Sequence, residues 1–121
     1  MASTLKAVRA ANTGTTYTTV YTALGTSPTT SPATHKSTLL TGLRVVNTDA
    51  NNTDRVYSIQ IVDSANNTYV LQQDDTIQGK TGRDLAPGGT TMVLNQGDQI
   101  QLKADANNSV TVHIDVIERD A

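Results

Sequence analysis

The feature that most constrains this chain is the strict alternation of its C-terminal third. Val110, Val112, Ile114 and Val116 are apolar, whereas Thr111, His113 and Asp115 between them are polar. Residues 99–104 repeat the pattern, with Ile100 and Leu102 apolar and Gln99, Gln101 and Lys103 polar. Successive side chains of a strand point to opposite faces, so a period of two describes strands with one dry and one wet face. Antiparallel sheets are built from such strands.

The same period extends upstream. Residues 15–23 (TTYTTVYTA) put Tyr17, Thr19, Tyr21 and Ala23 on one face. Residues 37–47 put Leu39, Thr41, Leu43 and Val45 on one face and Leu40, Arg44 and Val46 on the other. Apolar residues on both faces predict a strand covered by the core on one side and by a partner on the other. Gly42 and the β-branched residues disfavour a helix there. Residues 55–62 align Tyr57, Ile59 and Ile61, and residues 68–73 align Tyr69 and Leu71, with 63–67 as the hairpin connection. Residues 25–34 contain Ser27-Pro28 and Ser31-Pro32 and read as loop, because proline lacks a donor and fixes φ. Residues 74–87 read as a polar mobile loop, Gly88-Gly89 as a turn and 90–94 as a short strand. Residues 1–14 read as an N-terminal arm, whose stretch Leu5-Lys6-Ala7-Val8-Arg9-Ala10 is one helical turn or an extended tail suited to a neighbour's sheet edge.

These segments predict an all-β chain: an antiparallel β-sandwich, jelly-roll-like, of about seven to eight short strands. Residues 15–121 form its single domain, a size that supports one core. Three phrases, Asp49-Ala-Asn-Asn-Thr, Asp63-Ser-Ala-Asn-Asn-Thr and Asp105-Ala-Asn-Asn-Ser, recur unevenly between strands and read as reused turn chemistry. Aromatic residues make up only 3% of the chain, with no Trp or Phe, so the core is lean and apolar surface is expected to be shared with neighbouring subunits.

Composition also narrows function. A net charge of −2 with singly scattered basic residues argues against nucleic acid. No apolar run is long enough to span a membrane, and residues 1–14 lack the apolar region of a secretory signal. With no cysteine, stability is expected from packing alone, in a reducing cytosol.

No catalytic constellation is legible, and the chain is expected not to be an enzyme. His35 and His113 lack the nucleophile and acidic orienter of a triad. Residues 47–54 place oxygen donors at alternate positions, faintly like a calcium loop, but without its central Gly or terminal Glu. Asp74-Asp75 reads as a solvated turn and not as a general acid/base pair. The sequons at Asn51, Asn66 and Asn107 read as turns, and the glycines of 79–89 lack a phosphate-binding ending. No catalytic residue, cofactor or metal is expected.

Further phrases carry a resemblance. They are Val20-Tyr21-Thr22-Ala23, Leu39-Leu40-Thr41-Gly42-Leu43-Arg44-Val45-Val46-Asn47, Leu85-Ala86-Pro87-Gly88-Gly89, the run from Gln96-Gly97-Asp98 to Asp105, and Val110 to Glu118. In this order the chain resembles the small β-sandwich virion proteins of tailed bacteriophages, used as capsid decoration (cement) proteins and in neck or tail parts. The resemblance implies a homotrimer on the capsid exterior, with the major capsid protein or other virion proteins as partners and no catalytic residues. The partner-contact candidates follow from expected exposure: Leu5 and Val8 of the arm, the outward side chains Leu40 and Val46, and Ile77 in the polar loop. A neck or tail-fibre component is the nearest alternative; a carbohydrate-binding module is the alternative of another class, although sugar platforms favour aromatics and this chain has four Tyr and no Trp.

Overall fold

In a computed structural model the chain is described over residues 3–23, 36–85 and 92–120. Nine strands form two antiparallel sheets, with no helix among the described residues. The first sheet holds β1 (Ser3–Ala11), β9 (Val110–Asp120), β3 (Lys36–Asn47), and the short β6 (Gly82–Asp84) and β7 (Met92–Leu94). The second holds β2 (Thr18–Thr22), β8 (Gln99–Ala104), β4 (Arg55–Val62) and β5 (Thr68–Ile77), in that order.

The pairings define the topology. β4 pairs with β5, β3 with β6 and β7, β2 with β8, and β1 with β9, one hairpin nested inside the next. Wrapping the nest brings β9 beside β3 and β8 beside β4. An eight-position hairpin wrapped in this way is a jelly roll, with β6 and β7 as two pieces of one position.

The core lies between the sheets, where the period-two reading holds. Val110, Val112, Ile114 and Val116 from β9 meet Ile100 and Leu102 from β8 and Tyr57 and Ile59 from β4, all buried. Four expectations need correction. Ser3–Ala11, read as an arm, is a full strand paired with β9 along its whole length, and its Val8 packs against the core. The segment read as a mobile loop from residue 74 instead continues β5 to Ile77 and returns as β6, so Ile77 is buried, at 1% exposure. In β3 the register shifts between Leu40 and Gly42, so Leu40 is fully buried and Leu39 faces out. A bulge inserts one residue and inverts the facing of everything before it. β2 does the same between Thr19 and Tyr21, leaving Thr19 exposed and Tyr21 inside. The proline segment, His35 and Pro87-Gly88-Gly89 lie outside the described residues.

The recurrent Asp phrases are turns. Asn52, Asn66 and Asn108, each three residues after its Asp, adopt φ of 56°, 66° and 53°. Asn tolerates this left-handed region better than most residues with a side chain. The carboxylates of Asp49 and Asp63 each accept two backbone amides, from Asn51 and Thr53 and from Ala65 and Asn67.

Candidate interaction surface

The outer face of the first sheet carries side chains in rows that run across its strands. One row is aliphatic. Leu5 of β1 is opposite Ile117 of β9, which is opposite Leu39 of β3, which is opposite Val93 of β7. Leu5 is 80% exposed and Val93 65%, while Ile117 and Leu39 are half-buried between them. The next row is low: Ala7, Asp115 and Gly42. Here lies a shallow depression of about 330 Å³, lined by Leu5, Lys6, Ala7, Thr41, Asp115 and Val116. The third row is basic, with Arg9, His113 and Arg44 in register and Arg44 bridged to Asp84 at 2.9 Å. A greasy rib, a shallow trough and a cationic rib therefore lie side by side.

No family model, curated protein or solved structure matches the chain.

The contact candidates divide on this geometry. Leu5 lies in the aliphatic row, and Val46 is half-buried on the same outer face. Val8, Leu40 and Ile77 belong to the interior: the first is partly buried against the core and the other two are fully enclosed. Leu39, Ile117 and Val93 were missed. An apolar residue at the outward parity of β9 signalled Ile117, but nothing local announced the bulge that turns Leu39 outward.

The outer face of the second sheet is mixed: Val70 is 51% exposed there opposite Gln60, and polar side chains surround it. Gln60 donates to Gln101 at 2.8 Å, and Gln101 lies within 3.4 Å of both Thr19 and Gln99, forming a chain of side-chain hydrogen bonds across three strands. Tyr69 is half exposed, with its hydroxyl bonded to Asp63, and Lys103 sits 4.9 Å above the Tyr17 ring. A smaller hollow of about 130 Å³ beside Ser58, Asp74, Lys103 and Asp105 opens where β5 bulges. Asp74 there has a φ of 49°, and its backbone amide donates to the Ser58 hydroxyl.

Asp49, Asp63 and Asp75 are tied into the structure. Asp49 holds the Arg55 guanidinium at 3.1 Å as well as its two amides, and Asn47 of the calcium-like stretch donates to Thr53 and Ile77 carbonyls. Backbone amides hold the carboxyl of Asp49 below its usual range, and the same cause acts on Asp63. Asp75 accepts from the Tyr57 hydroxyl and pairs with Arg83. No three His, Asp or Glu side chains converge on a point among the described residues. At one end of the core, buried Glu118 accepts a hydrogen bond from the Tyr21 hydroxyl at 3.0 Å, opposite Thr38. Burial first, and the Glu118 carboxylate second, push the Tyr21 phenol up to about 12. That pair shores up the interior and reaches no depression described above.

Proposed function

We propose that this chain is a structural protein of a tailed-bacteriophage particle, a capsid decoration protein that binds the exterior of the assembled shell and stabilises it. The observation that carries the reading is the aliphatic row Leu5–Ile117–Leu39–Val93, exposed on one face of a rigid jelly roll. A run of apolar side chains across four strands costs solubility unless a partner covers it. The resemblance of the sequence to small virion proteins supplies the class of partner, the major capsid protein, and a neck or tail position remains the neighbouring alternative. Modest contacts at each site suffice where several copies engage one shell.

Occupancy on particles tests this. Val93→Ser and Leu39→Ser change exposed or half-exposed side chains and leave the core intact. Together they are expected to lower occupancy on shells about tenfold or more while leaving the melting temperature within a few degrees. Full occupancy with both substitutions in place excludes the aliphatic row as the contact.

The sugar-binding alternative has weaker support. Its best platform would be Tyr69 on the second sheet, yet the Tyr69 hydroxyl is engaged by Asp63, and Lys103 caps Tyr17. A glycan array separates the two readings, and binding abolished by Tyr69→Ala would favour the sugar.

A further inference from the structure

Two sheets have four edges, and here three of them are blunted. β6 and β7 are pieces of three residues each. β2 has five residues and carries a bulge. β5 is bulged around Ser58, with Asp74 exposed and its backbone in the left-handed region. Short strands, bulges and charges are the devices by which sheets avoid joining edge to edge. β1 carries the charges of Lys6 and Arg9 but is neither short nor bulged. It runs nine residues in unbroken register and contains no proline.

Its open side is well defined. The Asn12 amide donates to the Val110 carbonyl, and the Val110 amide donates to the Asn12 side-chain oxygen, so the even-numbered positions along β1 turn their backbone groups toward β9. By alternation, the backbone groups of Ala11, Arg9, Ala7, Leu5 and Ser3 face away from β9 and meet no strand among the described residues. The same odd-numbered positions carry Leu5, Ala7 and Arg9 on the outer face.

We propose that two copies of the chain join antiparallel through the open edges of β1, about a two-fold axis at Ala7. Each outward-facing backbone group then meets its counterpart, since Ala7 opposes Ala7 of the other copy and Leu5 opposes Arg9. The aliphatic stem of Arg9 covers Leu5, the most exposed large apolar side chain among the described residues. Its guanidinium lies across the methyl of Ala7 toward Asp115 in the trough. Arg9 and Asp115 form no ion pair with any described residue, and they have opposite charge. Lys6 does not obstruct the edge: its ammonium lies 5.9 Å above the Tyr21 ring, and this axis sets it against Val8, away from the other Lys6. The result is one sheet continuous through both molecules. The partner is a second copy and not the shell: Leu5 then lies under Arg9 of that copy, and Ile117, Leu39 and Val93 of the aliphatic row stay open to the shell.

Sedimentation equilibrium of the full chain over a wide micromolar range tests it. The wild type is expected to be a dimer. Ala7→Pro deletes an edge-facing donor without touching a bond to β9, and Arg9→Asp sets like charges together. Each is expected to weaken dimerisation about 100-fold or more. The double variant Arg9→Asp/Asp115→Arg is expected to restore the dimer, a rescue that simple loss of folding would not produce. A wild-type monomer or trimer overturns the proposal, as does a dimer indifferent to both single substitutions or a charge swap that restores nothing.

Discussion

The most informative residues are the aspartates that open the turns. Asp63 begins the β4–β5 hairpin, and its carboxylate accepts amides from Ala65 and Asn67 while Asn66 takes φ 66°. Those amides hold the Asp63 carboxyl below its ordinary value of 3.8, so the folded state binds this proton less tightly than the unfolded chain. Its contribution to stability is complete above the unfolded pKa and is lost as pH falls through the folded one. Urea midpoints are therefore expected to decline below about pH 4, and the decline should be shallower in Asp63→Asn, whose side chain cannot titrate. Equal slopes for the two proteins would remove Asp63 from the account. Tyr21 supplies the opposite sign. Its phenol is raised from 10.0 to about 12 by burial and by Glu118, so its stabilisation persists below pH 10 and disappears as pH rises toward 12. Absorbance titration of the folded protein should show one tyrosine ionising near 12, and Tyr21→Phe should abolish that step.

At the scale of elements, the bulge in β3 decides which surface is which. Without it, Leu39 shares a face with Leu43 and Val45; with it, Leu40 takes that place and Leu39 joins the outer row. The bulge stands where Thr41 donates to the Asp115 carbonyl and Gly42 lies opposite Asp115. Substitution separates the two adjacent leucines. Leu40→Ala removes a fully buried side chain and is expected to cost about 2–5 kcal/mol in denaturant unfolding. Leu39→Ala is expected to cost about 0.5 kcal/mol or less. Reversed magnitudes would mean that the strand runs without its bulge.

On the scale of the whole molecule, the outermost hairpin pair joins β1 to β9, so the first and last strands lie side by side. β1 is therefore part of the sandwich, flanking β9 and packing Val8 against the core. Deleting residues 1–11 would strip this cover and leave β9 as a bare edge. The expected loss is about 3 kcal/mol or more, read as a marked fall in melting temperature. A truncated chain that melts like the full one would return this segment to the status of an appendage. Nested pairing of distant strands also implies folding in milliseconds to seconds, because long loops must close before contacts form.

How much of this was legible in the sequence depends on range. Turn chemistry and the inward face of β8 and β9 depend on neighbours within a few residues, and the amino acids there state them outright. Asp-x-x-Asn phrases bend the chain, and alternating Val and Ile have one dry side. The strand character of Ser3–Ala11 was hidden because Leu5 and Val8 have opposite parity and the intervening residues are small or charged; only β9 gives the segment its register. The inversion of Leu39 and Leu40 was hidden for a related reason, since a bulge is a mismatch between two strands and has no expression in one. The composition of the segments settled that this chain makes sheets, whereas the candidate interaction surface was decided by tertiary structure alone: its rows are assembled by hydrogen-bond register between strands more than a hundred residues apart.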